Sequence, residues 1–140
     1  MSAPADPTLT TFRGGCHCGA VRFEVDAPTP ILAQDCNCSL CTMSGFLHLI
    51  VPASRFRLLA GADRLRTYSF NTGVARHLFC KHCGVKSFYV PRSNPDGYSI
   101  NLRCLESYPD FPFNIEPFDG RNWEAAGDAL RNLSKEEKHQ

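Results

Sequence analysis

The sequence predicts a mainly β fold of short antiparallel strands, stapled by metal, with one C-terminal helix. Three observations carry this. Residues 19–26 alternate, with Val21, Phe23 and Val25 on one face and Arg22, Glu24 and Asp26 on the other, the period-two pattern of a half-buried strand. Turn signals rich in Gly, Pro, Asn and Asp then recur at short intervals, as all-β chains require. Helical spacing occurs once, in 123–133, where Trp123, Ala126, Leu130 and Leu133 share a face behind Asn122 as a candidate N-cap.

The elements follow in order. The start, MSAPADPTLTT, is rich in Pro, Ala, Ser and Thr and reads as a disordered lead-in over 1–11. After the first strand, "APTP" (27–30) is a stop, and 31–35 is the next strand. Residues 39–45 are one helical turn ending at Gly45, and "FLHLIV" (46–51) is a strand closed by Pro52. Strands at 56–59 and 65–70 are joined by a turn at Gly61, Ala62 and Asp63. "NTG" (71–73) is a strong turn signal that lets 75–79 pair back on the strand before it. Strands at 85–90 and 98–102 flank the loop "PRSNPDG" (91–97). The segment 108–118 carries three prolines and three phenylalanines, and reads as a wrapping segment or an edge strand. Residues 134–140 are a frayed tail. No repeat or linker divides the chain, so 12–133 reads as one zinc-binding domain.

Length and charge narrow the function. A chain of 140 residues buries roughly 68–70% of its unfolded surface, enough for a core. With 15 Lys+Arg against 14 Asp+Glu, nothing in the bulk charge favours nucleic acid. No apolar run is long enough for a membrane span. The N-terminus has neither the basic nor the apolar region of a secretory signal, which suggests a reducing, cytoplasmic setting. There, cysteines serve metals or catalysis more often than disulfides.

The eight cysteines sort by spacing into Cys16-x-Cys18, Cys36-x-Cys38-x₂-Cys41, Cys80-x₂-Cys83 and a lone Cys104. A disulfide scaffold is one reading, but cysteines one or two residues apart would each need a partner elsewhere with specific geometry. Metal binding explains the local residues better. "CKHCG" is a zinc knuckle, and the glycines at 14, 15 and 19 loosen the backbone around Cys16 and Cys18. Two such halves make a closed four-cysteine zinc site of Cys16, Cys18, Cys80 and Cys83. Binding energy on the order of 10 kcal/mol would then be folding energy.

That leaves Cys36, Cys38 and Cys41. Three protein ligands with a fourth position open is the pattern of a catalytic zinc. Zn²⁺ with three thiolates carries net charge −1, a poor Lewis acid for water but a suitable seat for an added thiolate. The competing reading is a second structural zinc closed by Cys104 or a histidine. Among the histidines, His17 and His82 lie inside cysteine pairs and should point outward. His48 is a candidate fourth ligand or substrate contact, or simply a packed residue. His77 reads as an ordinary strand residue and His139 belongs to the tail.

Three stretches, "GGCHCGAVRFEV" (14–25), "CNCSLC" (36–41) and "FCKHCGVKSFY" (79–89), resemble the glutathione-dependent formaldehyde-activating enzyme family. "VPASRF" (51–56), "YSFNTGVARHLFC" (68–80) and "YVPRSNP" (89–95) are similar to its centromere protein V-like branch. The resemblance runs over about 12–125. It implies a tent-like β fold similar to methionine sulfoxide reductase B, and two zincs per chain divided as above. It also implies a carbon–sulfur lyase activity of the S-hydroxymethylglutathione synthase type, joining glutathione to formaldehyde. Glutathione is anionic, so its site should offer cations. Arg92 is the first candidate, beside Lys86 and Arg103, although each also reads as an ordinary surface charge. The alternative is a non-catalytic, zinc-stapled module for a protein or nucleic-acid partner.

Overall fold

The computed structural model describes residues 8–69, 75–91 and 93–120, together with Leu133. The candidate helix at 123–133, the turn at 71–73, Arg92 and the tail therefore lie outside the described residues, Leu133 apart.

The described chain is mainly β, with ten strands and one short helix. The strands are β1 (Leu9–Gly15), β2 (Arg22–Pro28), β3 (Ile31–Cys36), β4 (Leu47–Pro52), β5 (Phe56–Ala60), β6 (Leu65–Tyr68), β7 (His77–Cys80), β8 (Phe88–Tyr89), β9 (Gly97–Asn101) and β10 (Phe113–Phe118). Helix α1 (Ser39–Ser44) is the expected single turn, ended by Gly45 at φ 65°. Strand β1 starts inside the segment expected as lead-in, and pairs antiparallel with β2 along its whole length. No helix among the described residues is long and apolar enough to cross a membrane.

The strands form three sheets. One has the order β1-β2-β5, a second β10-β3-β4-β9-β8, and a third pairs β6 with β7. Strands β5 and β6 are thus in different sheets, with Gly61 and a 3-10 turn at Ala62–Arg64 redirecting the chain between them. The proline-rich segment supplies β10, an edge strand. It runs parallel to β3, an exception to the expected antiparallel pattern.

Aromatic side chains hold the first two sheets together. Phe23 and Phe56 from the three-stranded sheet meet Phe88 of β8, with ring centroids 6.0 and 4.7 Å away. Val21, Val25, Ile31, Ile100 and Leu102 complete a continuous core. Each such side chain contributes roughly 1.5–3 kcal/mol on burial.

Strand β2 departs from the half-buried expectation. Glu24 and Asp26, on its polar face, are buried as well. Arg57 of β5 covers that face and gives two N–H bonds to Asp26, both 2.9 Å long. Arg57 and Arg13 also pair with Glu24, at 3.4 and 3.5 Å. A polar face can be buried this way because every charge on it has a partner.

Candidate metal centres and the adjoining cavity

Among the described residues, two cysteine clusters have the geometry to hold a metal ion, and they divide as the spacing predicts. Cys16, Cys18, Cys80 and Cys83 form one, and Cys36, Cys38 and Cys41 the other. Within each cluster the sulfurs lie within 4.8 Å of one another.

The four-cysteine cluster joins the turn after β1 to the end of β7. Gly15 permits this, because a Cβ there would come within 2.0 Å of the Val21 carbonyl oxygen. That close approach closes the turn, in which Cys16 N–H donates to Val21 O at 3.1 Å. The sulfurs of Cys16 and Cys18 are 3.6 Å apart, and those of Cys18 and Cys80 3.7 Å. A tetrahedral zinc with Zn–S bonds of about 2.3 Å needs sulfur pairs about 3.8 Å apart, so the donor set fits. The backbone N–H groups of Val21 and His82 donate to the sulfurs of Cys16 and Cys80, at 3.3 and 3.4 Å. His17 and His82 are exposed, as expected.

The three-cysteine cluster is built from one continuous stretch. Cys36 ends β3, Cys38 caps α1, and Cys41 lies within it. The Cys41 N–H donates to the Cys38 sulfur at 3.4 Å. Three thiols in mutual contact cannot all ionise unless a cation joins them. Hydrogen bonding from Cys36, then Cys41, drives the Cys38 thiol far below the ordinary range. Hydrogen bonding with Cys36, then Cys38, drives Cys41 far above it. An all-sulfur set with this tension suits a soft or borderline divalent ion.

His48 stands directly behind the trio. Its Nε2 is 3.1 Å from the Cys41 sulfur, yet it is not a member of the cluster. Ser99 Oγ and Tyr89 OH both approach Nδ1, at 3.0 and 3.1 Å. Burial, followed by the Lys86 charge, lowers the His48 pKa to about 3, so the ring is neutral. Nδ1 has a single lone pair; a hydroxyl donating to it leaves the ring proton on Nε2, aimed at sulfur.

Further groups extend this polar core. Lys86, expected at the surface, is largely enclosed: its Nζ sits 3.9 Å from the Tyr89 ring centroid and 4.9 Å from that of Phe46. It donates to His77 Nδ1 at 2.7 Å. His77 is buried and stacks on Tyr89 with ring centroids 4.9 Å apart, so it is more than an ordinary strand residue. Nothing in the local pattern around Lys86 or His77 marks them out; their meeting depends on β7 and β8 lying side by side.

A cavity of about 660 Å³ opens beside the trio. Cys36 and Cys41 line it, with Asp35, Asn37, Thr42, Arg103 and Asp119 supplying polar wall. The Arg103 guanidinium has no ion pair or side-chain hydrogen bond among the described residues. Gly120 packs against the trio, where a Cβ would lie 2.4 Å from the Cys36 sulfur. Cys104 belongs to neither cluster, and burial raises its thiol pKa to about 11.

Residues 11–119 match the family model described as glutathione-dependent formaldehyde-activating enzyme. The chain belongs to that family. A curated protein of Halomonas elongata, provisionally named a glutathione-dependent formaldehyde-activating enzyme, is 57% identical over 80 residues, covering 51% of each chain. The chain thus spans about half the length of this relative. A crystal structure of a Rhodobacter sphaeroides protein superposes with a TM-score of 0.64 at 36% identity, covering 73% of this chain and 99% of that one.

Proposed function

We propose that the protein is a zinc-dependent carbon–sulfur lyase of the S-hydroxymethylglutathione synthase type, working on a small thiol such as glutathione and on formaldehyde. One observation carries this reading above all: Cys36 and Cys41 of the trio line a cavity that also presents the Arg103 guanidinium, which has no ion pair among the described residues. A purely structural centre has no use for such a cavity. The family membership supports the same chemistry.

In this reading Cys16, Cys18, Cys80 and Cys83 hold a structural zinc, and Cys36, Cys38 and Cys41 hold the reactive one. A zinc at the trio would keep an incoming thiol as its thiolate at neutral pH. The residues of the chain do the rest. Arg103 offers a fork for a substrate carboxylate. Asp35 and Asp119, on the same wall, suit an ammonium group, so a zwitterionic, carboxylate-bearing thiol matches the mixed charge. His48 fixes the Cys41 sulfur and carries no charge of its own. When the substrate sulfur attacks the formaldehyde carbon, a C–S bond forms and the carbonyl π pair moves to oxygen, which takes up the equivalent of the proton the thiol gave up, through solvent. Thiol chemistry of this kind needs a reducing compartment, which favours the cytoplasm.

The test is a titration of cobalt-substituted protein with glutathione. A change in the sulfur-to-cobalt charge-transfer band, lost in Cys36→Ser and weakened in Arg103→Glu, is the expected result. No change at millimolar glutathione would rule out glutathione as the thiol.

A further inference from the structure

We infer that Lys86 is the built-in counter-charge of the three-cysteine centre, and that its ammonium lets that centre accept an additional anionic sulfur ligand. The inference rests on the thiol-binding reading above and assigns a positioning role to a residue outside the cavity wall.

The argument begins with the cage. The ammonium lies over the Tyr89 and Phe46 rings and donates to His77 Nδ1. Aromatic faces and a neutral imidazole stabilise a cation but do not neutralise it. No carboxylate pairs with Lys86 among the described residues. A largely enclosed ammonium in this position is costly unless an opposite charge lies near.

The trio supplies that charge. Phe46 and Tyr89 both pack on His48, with centroid distances of 4.6 and 5.6 Å, and His48 touches the Cys41 sulfur. The cage wall is therefore also the wall behind the trio. Burial lowers the Lys86 pKa to about 8. Among the described residues, the other titratable neighbours are His77, His48 and Tyr89. Burial keeps both imidazoles neutral and the phenol protonated.

Charge counting shows what this is for. A divalent ion with three thiolates carries −1, and a fourth thiolate makes it −2. Accumulating that charge in a partly buried site is unfavourable, and one fixed ammonium returns the total to −1. A neutral fourth ligand adds no charge and needs no such help. Lys86 should thus set the preference for thiolate over neutral ligands.

The experiment titrates cobalt-substituted wild type, Lys86→Met and Lys86→Arg with 2-mercaptoethanol and, separately, imidazole. Lys86→Met is expected to weaken thiol binding by roughly tenfold or more and to move imidazole by less than about twofold. Lys86→Arg should recover most of the thiol affinity. Equal effects on both ligands, or none, would overturn the role of Lys86. If wild type itself binds no thiol, the thiol-activation reading falls with it, so the two failures are separable. Should Lys86→Met not fold, wild type labelled with ¹³C-lysine gives the same answer. Thiol binding must then raise the pH at which the Lys86 ε-carbon resonance titrates, because coupling between two sites is reciprocal. An unmoved titration would refute the proposal.

Discussion

The His48 ring bridges two parts of the fold: Nε2 meets the Cys41 sulfur at 3.1 Å, while Nδ1 meets Ser99 Oγ at 3.0 Å. Strand register creates the bridge. In the five-stranded sheet β4 lies between β3 and β9, with His48 opposite Gln34 on one side and Asn101 on the other. Replacing His48 by Ala would remove the ring nitrogen that the buried hydroxyls of Tyr89 and Ser99 both contact. We expect a stability loss of about 2–4 kcal/mol and a roughly 10–100-fold weaker metal affinity at the trio. Chelator competition and urea unfolding read the two effects separately.

The two cysteine clusters should respond differently to the loss of a ligand. Cys16→Ser breaks a crosslink between segments more than sixty residues apart, so it should remove one metal and most of the folding cooperativity. Cys36→Ser alters a cluster confined to one short stretch, so it should remove the other metal and leave a folded protein. Elemental analysis with thermal unfolding decides this. Equal damage from both would make the trio a second structural centre and favour the binding-module alternative.

Gly120 tests the edge of the trio. A Cβ there would sit 2.4 Å from the Cys36 sulfur and 3.3 Å from the Cys38 Cβ. Gly120→Ala should lower metal affinity at the trio by roughly tenfold or more while costing less than about 1 kcal/mol of stability, because the residue follows edge strand β10. The four-cysteine site should hold its metal unchanged. Site-resolved cobalt spectra of the variant distinguish the two centres.

Acid should weaken the Asp26–Arg57 pair in a defined direction. Hydrogen bonds from Arg57 hold the Asp26 carboxyl below its ordinary value, aided by Thr11 Oγ1 at 2.7 Å. A depressed folded-state value means that the stabilisation is complete above an unfolded pKa of about 3.9 and is lost as pH falls through the folded one. Asp26→Asn should therefore cost about 1–3 kcal/mol at neutral pH, a range that allows for the partial exposure of Arg57. The gap to wild type should narrow below about pH 4. Paired denaturant curves across pH 3–7 measure it.

Much of this was legible in the residues. The turn at Gly45, the strand after it and the edge strand containing Pro117 all lie where local pattern puts them. Both cysteine clusters were readable too, since each half is a run of a few residues whose spacing is itself the signal. Strand β2 misled at one point, because Glu24 and Asp26 look solvent-facing until Arg57 is brought over them. The β3–β10 pairing was hidden for a similar reason, since parallel neighbours far apart in sequence leave no local trace.

The sequence alone determined which cysteines form metal-capable runs, because spacing within a run is a short-range property of the chain, while the fold brings the Cys18 sulfur within 3.7 Å of that of Cys80. It determined the mainly β class as well, through alternation and turn chemistry. Only the tertiary structure decided what surrounds the trio. Lys86 and Arg103 are equivalent as letters, both cations that pattern assigns to the surface. The pairing of β8 with β9, and of β9 with β4, places one cation in an aromatic cage that packs on His48 beside the cysteine trio, while the other lies on the cavity wall that Cys36 and Cys41 share. Long-range strand register sets those positions, and no window of neighbouring residues encodes it.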